Sequence, residues 1–330
     1  MSKGIKMRSA KDRQGHPYTV ETLQRLSDSG IGAADLVCDD HTCACAVRFV
    51  PRYQQNRANR IEPIDVPAYI GLTRGSGHAA SCRYNAQARL SAIAAQSDPE
   101  FLSALDGGKR ELRLLALHNG LSKPGLSGDG LAATGRGPET GAGKTRMQLL
   151  ASNTKLDSYL RTTADLLALR ALCESDDDLA DDLILRLGSK KLPWKQFFFE
   201  RDRFDEAWEC VRQGGITPHP IALCGVVKRH HHPGPTATYR MSFLNCDSLY
   251  RKTDRADRVE TFEVSVAHAD GVWLSSFAVG SEIVLFGICK AADTVEKTVP
   301  DKRDTKRSVT YVTHRLTLAP KFKKQVVAIA

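Results

Sequence analysis

Six residues in two short stretches offer the clearest chemistry in this chain. LVCDDHTCACAVRFV holds Cys38, His41, Cys43 and Cys45, and GLTRGSGHAASCRYN holds His78 and Cys82. A structural zinc site takes four nitrogen or sulfur ligands, commonly as two pairs on turns from separate segments. Cys38-x4-Cys43 suits one turn between flanking strands. His78-x3-Cys82 suits the other, with Cys82 one turn along the following helix. Cys43 is preferred to Cys45 because Cys45, Val47 and Phe49 fall in register on the next strand. His41 is then spare, and Cys45 or His41 stays open as a replacement for Cys43. The expected set is Cys38, Cys43, His78 and Cys82, holding Zn in a closed site that stabilises a small module. The competing reading is a group of reduced cysteines packed as core.

The order of these features, a Cys pair at a strand turn, a strand pair, then a His and a Cys before a helix, resembles the N-terminal zinc-binding segment of competence protein CoiA-like bacterial proteins. The resemblance spans residues 36–85 and implies zinc ligation. A nuclease-like domain often follows in that family. No acidic residue followed by a Glu-x-Lys on a strand stands between residues 85 and 215. The carry-over therefore ends at the ligands.

Three other patterns have simpler readings. PETGAGKT (138–145) is one residue short of a P-loop, since Pro138 stands where the first Gly belongs. No buried strand leads into it, so a phosphate cradle is not expected. His230, His231 and His232 are consecutive, and successive strand side chains alternate in direction. They read as an exposed hairpin tip rather than a metal site. Asp176, Asp177 and Asp178 precede a helical stretch, where carboxylates complement the helix dipole.

The elements that would position these groups follow from periodicity. Val20 to Ser27 and Asn85 to Leu105 recur at helical spacing, and Lys109 to His118 suits a helix stopping at Asn119-Gly120. AVRFV (46–50) and DVPAYIGL (65–72) read as strands. Residues 1–118 form the expected zinc-binding N-terminal module. Residues 119–145, rich in Gly, Ser, Pro and Thr, read as a flexible linker. Residues 146–215 read as a helical region, with leucines from Leu149 to Leu172, then Leu179 to Leu187 and Phe198 to Arg212.

From Ile216 the rhythm becomes that of a sheet. IALCGVVK (221–228), TYRMSFLNC (238–246), TFEVSVAHA (261–269), SEIVLFGICKA (281–291) and SVTYVTHRLTLA (308–319) read as five strands. Phe243, Phe262, Phe277 and Phe286 read first as core. Tyr239, Phe243, Tyr250, Tyr311 and His314 are candidate stacking residues. Arg240, Ser242 and Leu244 share one face of the second strand, and Met241, Phe243 and Asn245 the other; which face is outside stays open.

After the third strand, LSSFAVGSEIVLFG (274–287) follows FEVSV (262–266) through a short helical element. Over residues 220–320 this order resembles bacterial single-stranded DNA-binding proteins of the OB-fold class. The resemblance implies a small five-stranded barrel that grips single strands through a basic groove and stacking aromatics. Residues 216–330 carry 17 Lys and Arg against 11 Asp and Glu, a net +6 of the whole chain's +9. Much of that charge sits in two connections, 228–240 and 290–308. The candidate nucleic-acid-binding residues are Lys228, Arg229, Tyr239, Arg240, Lys302, Arg303, Lys306, Arg307, Tyr311 and Arg315. The segment ends KFKKQVVAIA rather than in an acidic tail, so a specialised role is expected rather than general replication.

The whole is expected to be a multidomain α+β protein: a zinc-stabilised α/β N-terminal module, a helical middle and a C-terminal OB-type β-barrel. It is read as a binding protein rather than an enzyme, with single-stranded DNA or RNA as partner and DNA preferred. The expected setting is DNA processing in the cytosol of a bacterium or on a mobile element. No apolar run reaches eighteen residues, so no membrane partner is expected; self-association stays open. Two alternatives stand beside this: a zinc-containing nuclease or nuclease-associated factor, and a protein-interaction adaptor.

Overall fold

A computed structural model describes residues 5–32, 35–56, 60–105, 109–122, 142–173, 177–211, 215–234, 240–255, 257–300 and 307–329. It is a mixed α+β structure dominated by sheets. Among the described residues, no helix is long and apolar enough to cross a membrane.

The N-terminal part is an antiparallel sheet in the order Pro17–Thr19, Ser9–Asp12, Leu36–Cys38, Ala46–Val50, Tyr69–Leu72. The expected helix is present as Val20–Asp28, and its first turn is closed by Thr19, whose Oγ1 accepts the Thr22 N–H. The run 65–72 is two strands, Ile64–Val66 and Tyr69–Leu72, parted at Pro67. Proline lacks the N–H a ladder needs, so the break falls there. The first of these strands pairs with Tyr53–Gln55 in a separate hairpin.

The next sheet corrects several helical expectations. Its order is Leu102–Ala104, Arg110–Arg113, Leu183–Leu187, Lys190–Leu192, with the central pair parallel. Arg110–Arg113 is thus a strand, and the helix after it, Leu114–Ser122, runs past Gly120. The helix begun at Ala86 ends at Ala95, and Leu102 enters the sheet. Leu183 and Leu185 are buried in alternation, a period-two signal inside what composition suggests is a helical middle. Helix does hold over Ala142–Leu172. Leu156, Leu160, Leu166, Leu167 and Leu169 share one core with Leu90, Phe101, Leu112 and Leu117. Of PETGAGKT, residues 138–141 lie outside the described residues, as does most of the expected linker (123–141).

All five C-terminal segments are strands: Ile221–His231, Ser242–Cys246, Arg258–His268, Glu282–Gly287 continued by Cys289–Ala291, and Ser308–Leu318. The helix Gly271–Ser275 joins the third to the fourth, with Asp270 accepting the Trp273 N–H. The first strand pairs antiparallel with the second, and the second with the third. The third pairs parallel with Ser308–Leu318. Ser308–Leu318 pairs with Cys289–Ala291, while Glu282–Gly287 pairs with the first strand. Glu282–Gly287 also pairs with Val326–Ala328, the far end of the path, and because Glu282–Gly287 and Cys289–Ala291 abut at Ile288 the sheet curls back toward itself.

Burial separates the two faces. Ile221, Leu223, Leu244, Phe262, Val264, Leu285 and Leu316 fill the inside of the curl. Ala222, Cys224, Val284 and Phe286 belong instead to the core built on the long helix. Two strands are thus buried on both faces, which is why IALC and IVLF are unbroken apolar runs rather than alternating ones.

Candidate metal centre and basic face

The metal-ligating types converge as the spacing demands. Sγ of Cys45, Cys82 and Cys43 lie 3.2, 3.4 and 3.6 Å from His78 Nδ1. Cys38 Sγ lies 3.7 Å from Cys82 Sγ. The donor atoms of Cys38, Cys43, Cys45 and His78 all fall within 4.8 Å of one another. A tetrahedral ion with metal–sulfur bonds of about 2.3 Å and metal–nitrogen bonds of about 2.0 Å sets its donors roughly 3.5–3.8 Å apart. The observed separations lie close to that range, so these side chains fit a metal ion.

Two turns deliver the ligands. In the first, Cys43 N–H donates to Asp40 O and Cys38 N–H to Cys45 O. In the second, Cys82 N–H donates to Ala79 O. Cys82 lies before the helix, not within it: the helix starts at Ala86, capped by Asn85, which accepts the Ala88 N–H. Asn85 Nδ2 also donates to Ala79 O, tying helix start to turn. Cys45 precedes the strand Ala46–Val50 instead of lying in it, so strand register does not turn it away and its sulfur joins the cluster. His41 does not join: its side chain is 93% exposed.

The surroundings favour thiolate at Cys43 alone. The Ala79 N–H points at Cys43 Sγ and the Tyr84 N–H at Cys82 Sγ, both at 3.4 Å. Burial pushes the Cys43 thiol up, but N–H groups of Ala79 and Cys45 and the His78 ring outweigh it and bring it down to about 6. Burial raises Cys38 and Cys82, and lifts Cys45 to about 12. Metal binding here would release protons, as thiolate ligation requires.

A residue that carries no signal in the sequence holds the two turns together. Asp40 is buried and accepts from Thr42 N–H and Oγ1 at 2.9 and 2.7 Å and from Arg83 N–H at 3.1 Å. Those bonds, the Thr42 hydroxyl foremost, hold its carboxyl well below the usual carboxylate range.

In the C-terminal sheet, Lys228, Arg229, Arg240 and Arg307 are exposed and Tyr311 is half-buried. Arg315 is less available, because both its Nε and Nη2 donate to Glu263 Oε2 at 3.0 and 2.7 Å. Tyr239, Lys302, Arg303 and Lys306 lie outside the described residues. Ser242, Leu244 and Cys246 point inward, which places Phe243 and Asn245 on the outer face. Phe262, Phe277 and Phe286 are core, as expected. The three histidines are not a hairpin tip. His230 and His231 end the first strand, and His232 reaches Ser242 Oγ at 3.0 Å and Ser275 Oγ at 3.1 Å.

The hairpin that includes Tyr53–Gln55 and Ile64–Val66 reaches this sheet. Arg60 makes a bridge with Arg251, and its guanidinium meets Asp205 through two 3.0 Å bonds. Arg251 also donates to Asp205 and to Glu260. Nothing in the sequence spacing signals this cluster, because Arg60 and Asp205 are 145 residues apart.

No family model matches the chain, and no curated protein matches it. Among solved structures it is similar to an aspartyl-tRNA synthetase from Entamoeba histolytica, at 13% identity and a TM-score of 0.16, over 34% of this chain and 18% of that one. It is also similar to a putative aspartyl-tRNA synthetase from Leishmania major Friedlin, at 11% identity and a TM-score of 0.18, over 41% of this chain and 21% of that one. The chain therefore spans about a fifth of the length of either protein.

Proposed function

We propose that the protein binds single-stranded nucleic acid, DNA by preference, through an OB-type five-stranded barrel formed by its C-terminal strands. The strand order supports the barrel reading: first with second, second with third, third parallel to fifth, fifth to fourth, and fourth back to first. The observation that carries the binding reading is where the cations stand. The back of the curl is sealed by the long helix, while Lys228 and Arg229 stand exposed near the end of the first strand, Arg240 just before the second and Arg307 just before the fifth. Cations so placed track a phosphate backbone, and the half-buried aromatics Phe243 and Tyr311 offer faces to unpaired bases. Lys302, Arg303 and Lys306 belong to the same connection in sequence, and Tyr239 to the other.

The Cys/His cluster is proposed to hold one Zn through Cys38, Cys43, His78 and Cys82. With four protein ligands the ion would have no open position, so its contribution is to fold and rigidity. The setting proposed is DNA processing in a bacterium or mobile element, in the cytosol.

Titration of the full chain against labelled single- and double-stranded DNA and RNA at several salt concentrations tests the reading. Tight, salt-sensitive binding to single-stranded DNA is expected. Failure to bind any single-stranded oligonucleotide at low salt overturns it.

A further inference from the structure

The register of the curled sheet sets two rows of side chains on the side away from its core. Arg60 bridges Arg251, and the Ile61 N–H donates to Tyr250 O at 3.3 Å, so Ile61 stands opposite Tyr250. Tyr250 pairs with Thr261, Thr261 with Thr313, and Thr313 with Val295. The adjacent row is Lys252, Val259, Tyr311 and Lys297. Leu249 and Phe262 on these strands fill the inner core, and strand side chains alternate, so both rows face outward. One face thus runs from the N-terminal hairpin through Leu249–Lys252, Arg258–His268 and Ser308–Leu318 to Val295–Pro300.

This face combines rings with unengaged cations. Tyr250 and Tyr311 are half-buried, and Ile61 and Val295 are exposed at the two ends of the first row. Lys252 and Lys297 are exposed and enter no ion pair among the described residues. The nearby arginines differ: Glu260 holds Arg251, Glu296 holds Arg258 and Glu263 holds Arg315. Neighbouring strands lie about 4.8 Å apart, so the backbones of the two lysines stand roughly 14 Å from each other, with Val259 and Tyr311 between them. Thr261 is only 4% exposed, yet its Oγ1 has no hydrogen-bond partner. A buried hydroxyl without a partner is costly, and the polar edge of a ligand lying against Tyr250 offsets that cost.

We propose that a single strand of nucleic acid crosses this face, with bases against Tyr250 and Tyr311, phosphates at Lys252 and Lys297, and Ile61 of the N-terminal hairpin closing one end. This use of the face depends on the single-strand reading and adds to it a ligand surface shared by both ends of the chain. Lysines bracketing rings suit a polymer that alternates phosphates with flat apolar faces, rather than an acidic peptide whose carboxylates come without them.

Fluorescence anisotropy of the full chain with labelled oligo-dT tests it, with circular dichroism confirming the fold of each variant. Lys252→Ala and Lys297→Ala should each weaken binding and lower the log–log salt slope by about 0.7. Tyr250→Ala should weaken binding at least about fivefold with the slope unchanged, and Tyr250→Phe should restore it, because stacking needs the ring alone. Ile61→Ala should weaken binding at an unchanged slope. Thr261→Val removes only the unpartnered hydroxyl and should weaken binding without lowering the unfolding midpoint. Unaltered affinity in the Lys252→Ala, Lys297→Ala double variant, in Tyr250→Ala or in Ile61→Ala overturns the shared face and leaves the strand reading standing. Failure of the unsubstituted chain to bind any single strand, or tighter binding of poly-glutamate than of oligo-dT, overturns both.

Discussion

Asp40 Oδ2 accepts the backbone N–H of Arg83 at 3.1 Å, while its Oδ1 holds Thr42 in its own turn. One carboxylate thereby fixes the distance between two ligand-bearing turns 43 residues apart. Groups that orient metal ligands commonly contribute 10–100-fold to affinity. Asp40→Ala is expected to weaken zinc binding by about tenfold or more, and Asp40→Asn by less, since an amide oxygen still accepts. Competition with a chromophoric chelator measures both.

Five donors crowd a site that needs four. Cys38→Ser, Cys43→Ser and Cys82→Ser should each lose zinc, whereas Cys45→Ser should retain about one ion per chain by elemental analysis. Zinc loss from Cys45→Ser with retention in Cys82→Ser would reassign the fourth ligand. Chelation of the metal should lower the thermal midpoint of the full chain, because binding energy at such a site is folding energy.

Asp205 is the shared acceptor of Arg60 and Arg251, and the Arg60–Asp205 pair is only 9% and 11% exposed. Removing one member of a buried pair leaves a charge without compensation and costs about 3 kcal/mol. Asp205→Ala should destabilise the protein by that order in urea unfolding. The double variant Arg60→Met with Asp205→Leu should recover part of the loss. An unchanged midpoint in Asp205→Ala would show that the hairpin does not hold the curled sheet.

His314 and His219 both have their pKa lowered from the ordinary value of 6.5, chiefly by burial. The unfolded chain therefore takes up protons below about pH 6.5 that the folded chain resists. Stability contributed by the neutral rings is complete above that pH and declines as pH falls below it. Glu260 beside His314 softens the effect there. Unfolding free energies should fall as pH drops from about 7 to about 5, and His219→Gln should flatten that slope. A slope unchanged by this substitution would place the proton uptake elsewhere.

Single substitution of Lys228, Arg229, Arg240 or Arg307 to Ala should weaken single-stranded DNA binding and reduce its log–log salt slope by about 0.7 for each phosphate no longer neutralised. Arg315 behaves differently because Glu263 occupies it. Arg315→Ala should change affinity little, whereas Glu263→Ala frees a cation on the open strands and should tighten binding. Fluorescence anisotropy at low, intermediate and high salt separates these cases.

Five strands of the ten-stranded C-terminal sheet are legible in the sequence because β-branched and aromatic runs lie between turn residues, and the ligand turns because Cys and His are scarce and clustered; Leu249–Lys252, Val326–Ala328 and Val295–Pro300, the last inside the run read as the 290–308 connection, are not. Leu183–Leu187 is not, since an apolar-rich run beside a leucine-rich helix fits either period. Arg110–Arg113 is hidden for a related reason: Arg, Glu and Leu all favour helix, and pairing on both edges overrides that preference. Asp40 and Asp205 are silent because their partners are set by tertiary contact rather than by spacing. Cys45 escapes strand register because the strand starts at Ala46, immediately after it.

The first and fourth strands of the curled sheet carry apolar side chains on both surfaces, and Phe198–Phe199 adds a parallel partner to the first. Excision at residue 216 would strip the cover from Ala222, Cys224, Val284 and Phe286 and expose a sticky wall to water. The sheet cannot be moved into another protein as an independent cassette without a substitute for the long helix. Whatever these strands grip, the leucine helix is inherited with them, and insertions should be tolerated on the loops of the open side rather than at that seam.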